Sequence, residues 1–167
     1  MQPDHAKILE QLHTAFPARP IHAQGAFRDL GAPNLDAQSY MKQIEGRTWE
    51  ELDRPYLLRC HDALSVLGVP HIAAVLPVYL RSLMEDGAGS PAVYALLHLL
   101  TKRGAKQKPG ISRTRFGALV GELTPAQCAV IAVVLRAFAV EVEGESLGFA
   151  AQAALEDWKT YLPTDAP

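Results

Sequence analysis

The stretch AAVLPVYLRSLMED, residues 73–86, decides how the fold is interpreted, because it sets a proline inside an otherwise helical pattern. A proline in the first turn of a helix loses no hydrogen bond, whereas one in a helix interior costs about 3 kcal/mol. Pro70 and Pro77 are seven residues apart, and each suits a first turn. We therefore predict a short helical turn at 70–75 and a new helix from Pro77 to about Glu85. Its inward side should comprise Tyr79, Leu80, Leu83 and Met84. A continuous, kinked helix is the alternative.

Helix signals also precede this stretch. Residues 4–16 place apolar side chains at helical spacing, and Asp4 is a suitable N-cap. In TWEEL, residues 48–52, Thr48 and Glu51 form the pattern of a capping box. The sequence DRPYLLRCHDALSVLG, residues 53–68, predicts one helix with a single apolar stripe. That stripe comprises Leu57, Cys60, Leu64 and Leu67. We expect an irregular segment at 17–34 and a short helix at 36–45.

The clearest helix start lies downstream, in LTPAQ, residues 123–127. Thr124 is the predicted cap, Pro125 the first helical residue and Gln127 the capping-box partner. This helix should run to about Glu143 and bury one face. The predicted buried residues are Cys128, Ile131, Leu135, Phe138 and Val142. We further predict a loop at 102–115, a short helix in RFGALVGEL at 115–123 and a last helix at 147–161.

These patterns predict an all-α protein, because no stretch alternates with the period of two that strands require. A chain of 167 residues is one domain of ordinary size, so we expect a compact orthogonal bundle of about six to eight helices. Several of these helices should be short and begin at a proline. The predicted domain covers residues 1–163, with a loose tail at 164–167. Early charges and the lack of an apolar signal core at the N-terminus lead us to expect a cytoplasmic protein.

Residue types that carry chemistry are present, but their spacing favours no catalytic, metal or cofactor site. Cys60 and Cys128 form no CxxC motif, and the six histidines form no HExxH motif. The run CHD at 60–62 places neighbours about 100° apart on a helix, where they cannot act together. GAGSPA at 87–92 has the letters of a dinucleotide fingerprint but no predicted strand before it.

Charge placement indicates two candidate partner-binding surfaces. Residues 102–115 hold six basic residues and no acid, whereas 116–167 hold two basic and seven acidic residues, a balance of −5. The basic candidates are Lys102, Arg103, Lys106 and Lys108. The acidic candidates are a rim of Glu141, Glu143 and Glu145, with Glu50 and Glu51 as candidates to extend it. No aromatic residue interleaves the basic ones, which weakens a nucleic-acid interpretation. We favour the acidic rim, because rigid helix ends lose less entropy on binding than a loop does.

Four motifs in order carry a resemblance to a known family. They are TWEEL (48–52), HDALSVLG (61–68), LPVYLRSLM (76–84) and LTPAQCAVIAVVLRAFA (124–139). In this order the chain resembles a family of small bacterial proteins of unknown function. It departs from the family pattern just before Pro77, where HIAAV stands in place of aromatic residues. The chain is also similar to the small helical proteins encoded beside bacterial toxins, which implies an immunity protein.

The leading functional hypothesis is therefore a non-enzymatic protein-binding module, most concretely a bacterial immunity protein that neutralises a cognate toxin by occlusion. One alternative is a small helical enzyme or ligand-binding regulator with a pocket between helices. Another is phosphate or nucleic-acid docking through the basic loop at 102–115.

Overall fold

The computed structural model describes residues 4–22, 35–102 and 111–163, and these residues form helices and turns without a strand. The α-helices in these ranges are α1 (His5–Ala15), α2 (Leu35–Ile44), α3 (Arg54–Arg59), α4 (Ala63–Val66), α5 (Val69–Asp86), α6 (Val93–Leu99), α7 (Ile111–Glu122), α8 (Pro125–Glu141) and α9 (Gly148–Trp158). Short 3₁₀ turns lie at Trp49–Glu51, Gly87–Gly89 and Lys159–Tyr161. The prediction of an all-α bundle is confirmed.

Helices α5 and α8 form the centre of the bundle. Helix α5 packs against α1, α6, α7 and α8, while α8 packs most extensively against α9. Buried apolar side chains from all nine helices join in one cluster. More than half of the residues of α5 and of α8 are buried, so these two helices supply much of the core.

Helix α5 runs through Pro77 without a break, so the prediction that Pro77 starts a helix is wrong. The continuous helix, our alternative, is what the chain forms. Gly68 is its N-cap. Pro70 lies in its first turn, as predicted, whereas Pro77 lies in its interior. Tyr79 and Leu80 are fully buried, as predicted. Burial of an aliphatic side chain contributes roughly 1.5–3 kcal/mol. Summed over the fully buried Ile72, Leu76, Leu80 and Leu83 of α5, these contributions exceed the ~3 kcal/mol cost of an interior proline.

The single helix predicted over 53–68 is two helices, α3 and α4, which are separated at residues 60–62. The Tyr79 hydroxyl donates to the Cys60 carbonyl at 2.8 Å, and the Ala63 amide donates to the same oxygen at 3.0 Å. A side chain from α5 therefore shares the carbonyl at which the helix stops. The predicted stripe itself is confirmed, because all four of its residues are buried.

The loop predicted over 102–115 ends earlier than expected, because α7 already begins at Ile111. The Arg115 guanidinium donates to the carbonyls of Ser65 and Leu67, each at 3.2 Å, and also to the carbonyl of Leu64. These carbonyls lie at the end of α4, so Arg115 joins α7 to α4. We missed the start of α7 because its apolar pattern begins only at Phe116.

The helix caps predicted at Asp4 and Thr124 are confirmed, and each is formed with a residue three positions along the chain. The Asp4 carboxylate accepts from the Lys7 amide at 3.2 Å. The Thr124 hydroxyl accepts from the Gln127 amide at 3.2 Å, and the Gln127 side chain accepts from the Thr124 amide at 2.9 Å. Helix α8 ends two residues before the predicted Glu143. Of the irregular segment predicted at 17–34, residues 23–34 lie outside the described residues, and so does the predicted tail at 164–167.

Candidate functional site

Glu141, the first residue of the predicted acidic rim, is used by the fold. It is the last residue of α8, and its carboxylate contacts the His5 imidazole at the start of α1. A Cβ placed on Gly87 would lie 3.7 Å from the same carboxylate, so the end of α5 is also close. The N-terminus of α1 carries partial positive charge, which favours a carboxylate there. Glu141 therefore links the ends of three helices.

Glu50 and Glu51 lie in the 48–52 turn, and Glu50 contacts α1 at a second place. The Glu50 carboxylate lies 2.8 Å from His13 Nδ1, and the His13 ring packs on the Trp49 indole with 4.8 Å between centroids. The Glu51 carboxylate accepts from the Thr48 amide at 2.6 Å, and this bond lowers the pKa of Glu51. Both carboxylates therefore contribute to the packing and capping of the 48–52 turn.

The five acidic candidates do not form one rim. His5 and His13, which contact the two groups, are eight residues apart on α1, or about 12 Å along its axis. Each group meets α1 at a different place. The structure therefore divides the predicted rim into a 48–52 group and an α8–α9 group.

Glu143 and Glu145 differ from the other three carboxylates. They lie in the turn between α8 and α9, where Gly144 adopts a φ of +85° and both glutamates are exposed. The Glu145 amide donates to the Val142 carbonyl at 3.0 Å, and the Gly148 amide donates to the Glu145 carbonyl at 3.0 Å. Neither carboxylate has a hydrogen bond or ion pair with another described residue. Backbone hydrogen bonds therefore hold this turn, and the two carboxylates take no part in them.

Phe149 follows this turn and is the residue that our sequence reasoning missed. It is the second residue of α9, and 87% of its surface is exposed, although Phe16, Phe116 and Phe138 are all buried. It lies outside the stripe of Leu147, Ala151, Ala154 and Trp158 that the α9 periodicity places in the core. An aromatic residue that falls off its helix stripe was the available signal.

We call the turn between α8 and α9 with its flanking residues the α8–α9 corner, which carries the exposed side chains of Val140, Glu143, Glu145 and Phe149. Val140 is 54% exposed on the last turn of α8. A Cβ on Gly148 would lie only 2.6 Å from the Val142 carbonyl oxygen, so the start of α9 is in close contact with the end of α8. The ten residues 140–149 therefore carry two exposed apolar side chains and two exposed carboxylates.

The basic candidates are only partly described. Lys102 is tied to the protein, because its amide donates to the Asp157 carboxylate at 2.7 Å and its ammonium lies 5.2 Å from the Phe116 ring centroid. Arg103, Lys106 and Lys108 lie outside the described residues. Of the two basic side chains described in this region, Lys102 and Arg115, each serves a contact within the bundle.

The thiols and imidazoles do not assemble into a reactive group in the described part of the chain. Burial raises the pKa of the Cys60 thiol to about 11 and also raises that of Cys128, so both stay protonated near neutral pH. The His61 imidazole lies 3.1 Å from the Asp62 carboxylate on the surface. The expectation that neighbours in CHD cannot meet is therefore wrong for this pair, because residues 60–62 lie between α3 and α4 and not on a helix. Residues 4–22, 35–102 and 111–163 contain no group of three or more histidine, cysteine, aspartate or glutamate residues that could hold a metal ion.

None of the described helices has by itself the length and hydropathy needed to cross a bilayer. Residues Arg115–Glu122 and Pro125–Glu141 meet those criteria together, with a bend of 120° between them.

Comparison of the chain with protein-family models, with curated proteins and with solved structures returns no match. The resemblance that rests on the order of four motifs therefore stays a prediction.

Proposed function

We propose that this chain is a non-enzymatic protein-binding module, most concretely a bacterial immunity protein that occludes a cognate toxin in the cytoplasm. The observation that supports the proposal is the α8–α9 corner. Glu143, Glu145 and Phe149 are exposed to solvent there. Neither carboxylate has a hydrogen bond or ion pair with another described residue, and the Phe149 ring lies outside the core. Exposed groups that folding does not require are available for a partner.

Electrostatics supports a cationic partner. Residues 137–158 contain five acidic residues and no lysine or arginine. Toxins that act on nucleic acid need basic clefts, and a surface of opposite charge speeds encounter with such a cleft. An occluding interface buries roughly 800 Å² on each partner, so the corner would be one part of a larger contact face.

The enzyme alternative receives little support from the described residues. A nucleophilic cysteine needs a lowered pKa and access to substrate, whereas Cys60 and Cys128 are buried and have raised pKa values. We expect neither thiol to be alkylated by iodoacetamide at pH 8 in the folded protein, and both to react once it is unfolded. Rapid alkylation of one thiol in the native state would favour the enzyme alternative.

Docking of phosphate or nucleic acid through 102–115 is also less favoured. Arg115 donates to backbone carbonyls, and Lys102 contacts Asp157 and Phe116. Both basic side chains that the structure describes in this region therefore contact other groups of the protein.

A co-expression experiment tests the proposed function. The chain is produced together with the toxin-like protein encoded beside its gene, and growth rescue and complex formation are both measured. We expect rescue and a stoichiometric complex that survives size-exclusion chromatography. If no such neighbour exists and pull-downs yield no stoichiometric partner, or if the neighbour is neither bound nor neutralised, the immunity proposal is wrong.

A further inference from the structure

Phe149 lies on a helix whose backbone is held by its neighbours, and its side chain extends into solvent. The residue before it, Gly148, donates its amide to the Glu145 carbonyl, and a Cβ added to Gly148 would lie only 2.6 Å from the Val142 carbonyl oxygen. Leu147 and Ala151, on either side of Phe149 in sequence, are buried in the core. The backbone of Phe149 is thus held from both directions, so a partner that binds its ring orders little additional chain.

The exposed ring of Phe149 adds little to the stability of the folded protein, because it stays in contact with water. Moving a phenylalanine ring from water into an apolar environment is favourable in proportion to the area removed from water. Phe149 is the most exposed of the large apolar residues described, followed by Tyr94, Leu58 and Val140. Unlike tyrosine, phenylalanine has no hydroxyl that water could satisfy, so its ring gains most from a partner pocket.

The charges beside Phe149 select among the surfaces that could cover it. An anionic membrane would repel Glu143 and Glu145. A second copy packed corner against corner would also be unfavourable, because residues 137–158 of each copy bring carboxylates and no lysine or arginine to that contact. A protein surface with lysine or arginine around an apolar pocket instead satisfies both the ring and the carboxylates.

We propose that Phe149 is the anchor of the α8–α9 corner, inserting into an apolar pocket whose rim carries lysine or arginine on the partner protein. This inference rests on the proposed protein-binding function and adds the anchor residue and the chemistry of the partner pocket. Anchors of this kind are aromatic, central to the contact and surrounded by groups that exclude water. Glu143 and Glu145 provide the charged surround.

Selection of random peptides displayed on phage against the whole protein tests this inference without a known partner. The enriched peptides are synthesised and their dissociation constants are measured with the wild type, with Phe149→Ser and with Tyr94→Ser. Tyr94 is the matched control, because it is a 70% exposed aromatic residue on α6. Thermal melting verifies that both variants are folded.

We expect enriched peptides to combine lysine or arginine with aromatic or aliphatic residues. Their affinity should fall at least about 30-fold with Phe149→Ser, which is the loss typical of a truncated anchor, and change less than about twofold with Tyr94→Ser. The inference is overturned if no peptide is enriched, if the peptides lack basic residues, or if Phe149→Ser binds them unchanged. Phe149-dependent dimerisation in sedimentation, or Phe149-dependent binding to vesicles of anionic phospholipid, would overturn it as well.

The two proposals can fail separately. If the neighbouring toxin is bound and neutralised equally well by Phe149→Ser, the immunity function stands and the anchor is wrong. If basic peptides bind through Phe149 but the neighbouring toxin is not neutralised, the anchor stands and the immunity function is wrong.

Discussion

Two regions of this protein use apolar residues in opposite ways. Along α5, the residues from Val75 to Leu80 are all buried, including a proline that interrupts the hydrogen bonding of the helix. At the α8–α9 corner, Val140 and Phe149 face water beside two exposed carboxylates. Packing explains every side chain in the first region and none of the four in the second. The contrast separates residues that the fold requires from residues that are free to serve a partner.

The largest effect on stability is expected from truncation in α5. Leu80 is fully buried, so Leu80→Ala should lower the free energy of unfolding by about 2–5 kcal/mol through lost burial and a cavity. Leu58→Ala makes the same chemical change at a leucine that is 57% exposed on α3, and it should cost less than about 0.5 kcal/mol. Urea denaturation measures both. Equal costs would show that the burial assigned to α5 is wrong.

An intermediate effect is expected where the corner is joined to the core. A Cβ on Gly148 would lie 2.6 Å from the Val142 carbonyl oxygen, so Gly148→Ala should cost about 1–3 kcal/mol as the backbone shifts. Gly121→Ala is the control, because no atom lies within 4 Å of its Cβ position on α7. That change should stabilise the protein by about 0.4–1 kcal/mol. Thermal unfolding should therefore show shifts of opposite sign, and shifts of the same sign would contradict the close contact.

The smallest effects on stability are expected at the carboxylates, where Glu141 contacts His5 and Glu143 has no such contact. Glu141→Gln removes the contact of a carboxylate with the His5 imidazole and should cost at most about 1 kcal/mol. Glu143→Gln should leave the free energy of unfolding unchanged within about 0.5 kcal/mol. If Glu143→Gln destabilises as much as Glu141→Gln does, the corner carboxylates are part of the fold after all.

Local signals in the sequence predicted local structure well. The capping box of Thr124 and Gln127 needs only four neighbouring residues, and it marks the start of α8 correctly. The end of α3 could not be found in this way, because the Cys60 carbonyl is engaged by Tyr79 from nineteen residues away. The continuity of α5 through Pro77 likewise depends on the surrounding core rather than on the proline.

The candidate site was predictable in composition but not in geometry. The sequence shows that acidic residues cluster near the end of α8, but it does not show that Glu141 pairs with His5 while Glu143 stays exposed. That division depends on how α1 packs against α8. A reversal of all three corner-side glutamates, Glu141, Glu143 and Glu145, would for this reason confuse loss of binding with loss of an internal contact.

The central claim, that the α8–α9 corner serves a partner and not the fold, is tested most directly by association kinetics. The association rate of the neighbour-encoded toxin is measured in low and high salt with the wild type, Glu143→Lys and Glu122→Lys. Glu122 is the matched control, because it is an exposed glutamate at the end of α7, next to the start of α8. The opposite end of α8, where Glu141 lies, is roughly 24 Å away along the helix.

We expect Glu143→Lys to slow association about tenfold in low salt and to flatten its salt dependence, with unfolding unchanged. Glu122→Lys should behave as the wild type does. The claim would be contradicted if Glu143→Lys associates at the wild-type rate while neutralisation of Lys102, Arg103, Lys106 and Lys108 abolishes binding.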